Sequence, residues 1–296
     1  MQLVLSYLKP WEFSPTVLLA CALPTAAYTR GLVLMRRARE TIGFWRPLAF
    51  YLGLGLIYAM LQTYVEYLSG HMFWVHRLQH LFLHHFGPFL LALAAPAGVM
   101  RRGVPANLRE QLLQRLWRQP IVQGAYGFIQ NPVIAPALFV GLIYFWLTPA
   151  IHFSAMLNTD HFKLMNWSMA VDGILFWWLM LTPLDQQGHA RIGYLARIVI
   201  LFWTMILQIL PGAVIAMHGT VLYDVYDVCG RAWNIDPLTD QELGGLLTWI
   251  PPAMMSVVAI LIVLSHILRE KSETAVAPSA VASARTKKPN QGVRFI

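Results

Sequence analysis

Five imidazoles fall within fifteen residues in the run HMFWVHRLQHLFLHH, from His71 to His85. His76, His80 and His84 are four apart, so on an α-helix they stack along one face. Met72 lies one turn earlier on that face. A row of imidazoles ending in a thioether is a ligand set suited to copper, haem iron or another soft to borderline metal. The surrounding segment is apolar enough to cross a membrane, where a titratable side chain marks function by default. The plainer alternative is interhelical hydrogen bonding. Three imidazoles in register with Met72 favour a metal or a proton path over it, and His85, off the row, reads as structural.

Other residues extend this set. Glu66 precedes His71 by five residues, so a hairpin brings it beside His71 or His76, and Arg77 is expected to snorkel outward and pair with it. Asp172 is central in MNWSMAVDGILFWW, either functional or hydrogen-bonded to a neighbouring helix. His152, His161 and His218 fall in connections on the His71 side, which leaves His189 and His266 on the other. Cys229, in YDVCGRAW, is a candidate Cu(I) ligand, a partner for Cys21, or inert. Asp227, two residues earlier, orients a ligand or attracts cations. Met72 and Met217 stand out among the 13 methionines because both adjoin histidines.

The elements that must position these residues are membrane helices. The 296 residues are 57% hydrophobic and 12% charged, against about a quarter charged in a soluble domain. Segments of roughly 20 apolar residues, the length a spanning helix needs, occur at about 15–36, 46–68, 72–96, 121–148, 163–182, 191–217 and 244–268. The fourth contains Asn131-Pro132 and is expected to kink. The alternating pattern of a membrane β-barrel is absent. The expected fold is an all-α bundle of seven transmembrane helices over residues 1–270, followed by a disordered basic cytoplasmic tail, 271–296.

The formal charge of +8 is a topology signal and not a nucleic-acid footprint. Arg36, Arg37, Arg39 and Arg46 crowd one connection, and Arg101, Arg102, Arg109, Arg115 and Arg118 another. The tail from Arg269 carries six Lys or Arg, whereas the alternate connections carry almost none. The positive-inside rule then places the N-terminus outside, the C-terminus in the cytoplasm and the histidine-rich side outward. The start, MQLVLSYLKPWEF, lacks the order of a cleavable signal peptide, so the first span is expected to serve as the insertion signal. Residues 101–119 read as a basic amphipathic helix on the inner membrane surface or an ordinary connector. The connection 218–243 is long and acidic, suited to a partner or to cations.

Three blocks carry a resemblance to a known family. The run HMFWVHRLQHLFLHHFGPFLLALAAPAGVM resembles the third-span signature of the CtaG family, multi-spanning bacterial cytochrome c oxidase assembly factors. GILFWWLML at 173–181 is similar to that family's fifth-span GLLFWW, and PLTDQELGGLLTWIP at 237–251 to the DQQLGGLIMWIP stretch that leads into its last span. The likeness covers about residues 40–268 and matches His71, Met72, Gln79, His80, Asp240, Gln241, Gly244 and Gly245. Glu242 replaces the second Gln. Many relatives carry a further His in a Glu-His pair near the start of the fifth span, where this chain has Met165-Asn166, with His161 as the nearest stand-in.

The resemblance implies a part in forming the copper site of a haem–copper oxidase. Together with the histidine row, it leads to a non-enzymatic assembly factor of the bacterial inner membrane. Such a factor would pass copper, as Cu(I), to an oxidase subunit, with a periplasmic copper chaperone as a further partner and no nucleic acid. The expected ligands are His76 and His80, with Met72 and His84 as neighbouring steps and His71, His161, His218 and Cys229 as a loading port. Glu66, Gln79, Asp172, Asp227, Asp240 and Gln241 are the expected supporting residues. Two alternatives stand beside this. A copper transporter would need a polar path to the inner face, where His and Met are sparse. A haem-binding redox or haem-handling protein would need axial ligands on two facing helices, which the other spans hardly supply.

Overall fold

The computed structural model describes residues 12–182 and 192–286, with side chains through residue 270. His189 and residues 287–296 lie outside the described residues; of the tail expected to be disordered, residues 271–286 continue the last helix. Among the described residues the chain is helical throughout, with no β-strand.

Helix α1 spans Pro15–Arg37. Ser14 caps it by accepting from the Val17 N–H, Pro15 occupies the first turn, and Arg36 and Arg37 close the last, each matching a helix-end preference. The expected span 46–68 is split. Helix α2, Trp45–Gln62, stops at Thr63, whose extended backbone and side-chain oxygen cap the short α3, Tyr64–Ser69. Helix α4, Phe73–Ala94, follows, and at Ala95 (φ 45°) the chain turns by 70° into α5, Ala97–Gly103. Helix α5 folds back against α1 through glycines with no room for a side chain. A Cβ on Gly103 would lie 1.7 Å from the Ala27 carbonyl oxygen, and one on Gly31 2.1 Å from that of Val99. Small residues of this kind let membrane helices approach closely.

The next turns, Ala106–Leu108, Arg109–Leu113 and Gln114–Trp117, form one helical run that leaves Leu108, Leu112, Leu113, Leu116 and Trp117 exposed, as the amphipathic pattern predicts. Helices α6 (Pro120–Ile129) and α7 (Ile134–Leu147) meet at 70° around the expected Asn131-Pro132 kink. Helices α8 (Pro149–Leu157), α9 (Thr159–Leu181), α10 (Tyr194–Met217), α11 (Val225–Cys229) and α12 (Pro237–Thr286) complete the chain.

Among the described residues, four helices are long and apolar enough to cross a membrane: α1, α9, α10 and the Pro237–Glu270 part of α12. The number is six if each bent pair, α4 with α5 and α6 with α7, is one span. The remaining expected segment, α2, is an 18-residue helix outside that count.

Helix α4 is the axis of the molecule, packed by α2, α9 and α12 and buried along nearly all its length. Its start is held by the PLTDQELGG segment. Asp240, fully buried, accepts from the Phe73 and Trp74 N–H groups at 3.0 and 2.8 Å, two of the N-terminal donors a helix leaves unpaired. Gln241 accepts from the Leu222 N–H at 2.6 Å and donates to the Thr220 carbonyl at 3.0 Å, fastening the 218–222 loop. Gly244 meets the Phe73 ring and Gly245 the Ala216 backbone, where a Cβ would lie within 2.5 Å of either.

Midway, α4 leaves α-helical geometry for a π turn over Leu81–Phe86. Pro88, lacking an N–H, cannot donate to the His84 carbonyl four residues back. The Trp177 indole N–H of α9 donates to that oxygen instead, at 3.1 Å. Gly173 of α9 permits the approach, since a Cβ there would lie 2.5 Å from the same oxygen. A π turn inserts one residue into the helical repeat and often marks a functional site.

Candidate functional site

His76 and His80 lie on the regular first half of α4, one turn apart, and their Nε2 atoms face each other at 3.1 Å. Both rings are buried. The contact joins a longer chain of hydrogen bonds. His152 Nδ1 lies 3.0 Å from the Trp146 carbonyl, and its Nε2 2.9 Å from the Tyr226 hydroxyl. That hydroxyl lies 3.2 Å from His76 Nδ1. Beyond His76, His80 Nε2 also meets Asn166 Oδ1 at 3.0 Å, and Arg77 Nη2 donates to His80 Nδ1 at 3.3 Å.

Donor and acceptor chemistry assigns the protons along this chain. Each neutral imidazole offers one donor and one acceptor, a carbonyl only accepts and a guanidinium only donates. His152 therefore carries its proton on Nδ1, towards Trp146, and accepts from Tyr226 at Nε2. Tyr226 accepts from His76 Nδ1–H, which leaves His76 Nε2 as a free acceptor. His80 accepts from Arg77 at Nδ1 and so carries its proton on Nε2, shared between His76 Nε2 and Asn166 Oδ1. With Arg77 at one end and a carbonyl at the other, only one polarity fits.

The surroundings support neutral rings at the loop end of this chain. Burial holds the His152 imidazole down to about 3, with Arg77 adding to the effect and the Trp146 carbonyl opposing it. Burial also pushes the Tyr226 hydroxyl well above its ordinary value.

The row breaks after His80. The π turn carries His84 into a separate setting, where its Nε2 lies 3.1 Å from Asp172 Oδ2 and its ring stacks on Phe139 at 3.9 Å. A cavity of about 20 Å³, bounded in part by Arg77, His80, His84, His85 and Met169, lies between the two pairs and has room for about one water. Asp172 thus finds its partner in His84. Met72 is the N-cap residue of α4, in extended backbone (φ −144°), packed with Leu68 and Val75; it precedes the helix and leaves the row.

The other expected ligands stand apart from the pair. His71 stacks on Tyr67 and pairs with the Tyr67 carbonyl at 2.8 Å. His161 is exposed, so the α9 position that reaches His80 is Asn166. His218 bonds within its own loop, to the Thr220 carbonyl at 3.0 Å. Met217 is 84% exposed. Cys229 packs at the edge of the Tyr223–Tyr226 cluster, where burial raises its thiol. Cys229 and Cys21 are both free thiols. Cys21 belongs to the α1–α2 core with Leu54 and Ile57, so the considered disulfide is not formed. Among the described residues no three His, Cys, Asp or Glu side chains are grouped to hold one metal ion.

Supporting residues are placed as follows. Gln79 donates to the Met60 carbonyl at 2.8 Å and ties α4 to α2. Asp227 pairs with Arg231 at 2.6 Å, and Arg231 also pairs with Asp240. The loop's carboxylates are thus largely taken up by pairing and capping. Glu66 lines a cavity of about 260 Å³ with Glu12, Lys163 and Asn166, and a neighbouring one of about 270 Å³ with His71 and Met156. Arg77 does not snorkel to Glu66. It is buried, lies over the Phe73 ring at 5.5 Å and turns to His80.

Tyr226, His152, Asn166 and Arg77 are the participants that spacing arguments missed. The one signal was Asn166, which stands where the family resemblance implies a histidine.

The model of the cytochrome c oxidase caa3 assembly factor family, Caa3_CtaG, matches residues 26–270. The chain belongs to that family. As a CtaG-family member it shares 25% identity over 277 residues with an uncharacterized protein of Mycobacterium leprae, covering 92% of this chain and 42% of the relative. Uncharacterized proteins of Mycobacterium bovis and Mycobacterium tuberculosis are each 27% identical over 265 residues, 86% of this chain and 39% of theirs. The chain thus spans about two-fifths of the length of these relatives. No solved structure matches it. Within the family match lie both the His76–His80 pair and the Asp240–Gly245 segment that holds it.

Proposed function

We propose that this CtaG-family assembly factor binds copper as cargo at the His76–His80 pair and hands it to a haem–copper oxidase subunit. The observation that carries this reading is the buried 3.1 Å approach of two Nε2 atoms. Two imidazoles holding one metal at about 2.0 Å at a tetrahedral angle place their nitrogens roughly 3.3 Å apart, so the separation suits one ion once the proton between the rings has moved. Imidazole is a ligand that suits copper. Loading and delivery proceed by ligand exchange, with no covalent bond of a substrate made or broken, and the protein is not an enzyme.

The distribution of basic connections supports a topology with the His71 end of the bundle outside the bacterial inner membrane and the C-terminus in the cytoplasm. The cavity lined by Glu66 and Asn166, beside the one lined by Glu66, His71 and Met156, is the approach for copper, given directly or by a periplasmic chaperone. Lipid-facing helix surfaces dock the oxidase subunit. A transporter is disfavoured because buried Arg77, in contact with His80, puts a positive charge on the wall of the small cavity that His80 and His84 share.

The test is His76→Ala and His80→Ala in cells. The variants are expected to accumulate in the membrane as wild type does while the oxidase loses its copper. Normal oxidase copper in both strains would sink the proposal.

A further inference from the structure

We infer that Arg77 sets how tightly the His76–His80 pair holds a metal, by fixing the tautomer of His80. The inference rests on the copper reading above. A metal between the two Nε2 atoms needs a lone pair on each. His76 already presents one. Its Nδ1–H is committed to Tyr226, whose hydroxyl proton is committed to His152, whose Nδ1–H is committed to the Trp146 carbonyl. His80 does not, because Arg77 Nη2 donates to its Nδ1 and the proton sits on Nε2. Half of the site is set for a metal and half against it.

Loading requires the His80 proton to move from Nε2 to Nδ1. His80 holds one proton before and after, and none leaves the protein. In the loaded tautomer, Nδ1–H faces the N–H of Arg77, donor against donor, beside a guanidinium that cannot give up its charge. Arg77 must withdraw for the metal to bind. Little holds it in place. Its Nε is buried without a partner, no carboxylate among the described residues lies within ion-pair distance, and the Phe73 ring is its neighbour on one face. When Arg77 returns to His80 Nδ1, the proton goes back to Nε2 and the metal is expelled. A carrier that must surrender its cargo needs such a release element; a storage site does not.

Cu(I) affinity of the purified full-length protein in detergent, measured by competition with bathocuproine disulfonate, tests this. Arg77→Gln supplies a carbonyl that accepts from Nδ1–H and removes the opposed donor, and is expected to bind about tenfold tighter than wild type, the scale of one buried hydrogen bond. Arg77→Lys keeps a donor and a charge, and is expected to stay within about threefold of wild type. Should the Gln variant not accumulate, Arg77→Met removes the donor and is expected to tighten binding as well. Adding His80→Ala to the Gln variant should abolish the gain. A Gln variant no tighter than wild type, or a Lys variant as tight as Gln, overturns the role of Arg77 and leaves the copper reading standing. Absence of His80-dependent copper in wild type and every variant overturns both.

Discussion

His76 and His80 meet because four residues make one helical turn, and that much was legible in their spacing. What the spacing omitted is everything that orients them. Tyr226 and Asn166 come from segments 150 and 86 residues away in sequence from the histidines they touch, and no local pattern marks them. His152 was taken for a connection residue near the surface, yet it is fully buried and its two bonds set the direction of the whole chain. Its burial has a measurable consequence. The imidazole is held near 3 against an ordinary 6.5, so the unfolded chain takes up a proton that the folded one refuses. The contribution is complete above 6.5 and is lost progressively as pH falls from there towards 3. Thermal melting is therefore expected to drop between pH 8 and pH 5, and His152→Phe should flatten that drop; an unchanged slope would show that other groups carry it.

At the scale of elements, the helices themselves were readable from composition, and the kink at Asn131-Pro132 from its proline. The π turn was not anticipated, although its cause is in the sequence. Pro88 lies four residues after His84, and a proline within a helix disturbs the turn before it. That turn ends the imidazole row after two members and gives His84 to Asp172. Trp177, in the FWW block of α9, acts here as the donor that satisfies the His84 carbonyl. Trp177→Phe keeps the ring and removes the N–H, leaving a buried carbonyl unpaired at a cost of about 1–3 kcal/mol. The expected outcome is a lower melting temperature with copper binding at His76–His80 retained. Equal stability would mean that the oxygen is satisfied some other way. The DQELGG segment has a similar character. Asp240 caps α4, Gln241 fastens a loop and the two glycines allow contact, so its prominence reflects the mounting of the site and not ligation.

Across the whole molecule, one buried helix carries the candidate ligand pair and its neighbours position it: α9 supplies Asn166, Asp172 and Trp177, α8 supplies His152, α11 supplies Tyr226, and α12 anchors the start. The bundle reading followed directly from hydropathy, but the number of spans did not. Thr63 shortens α2, and two other segments bend by 70°, because backbone breaks depend on local caps and prolines that a hydropathy average smooths away. Which histidines meet was not legible along the chain, since the exposure of His161 and the loop bonding of His218 depend on packing that periodicity does not report. What remains at the centre is a single contact, His76 Nε2 against His80 Nε2 at 3.1 Å, which we propose shares one ion once the His80 proton has moved. X-ray absorption at the copper edge of Cu(I)-loaded protein measures it most directly. The account predicts two nitrogen scatterers at about 2.0 Å, with the histidine signature lost in both His76→Ala and His80→Ala. A copper environment dominated by sulfur, or one unchanged in those variants, would contradict it.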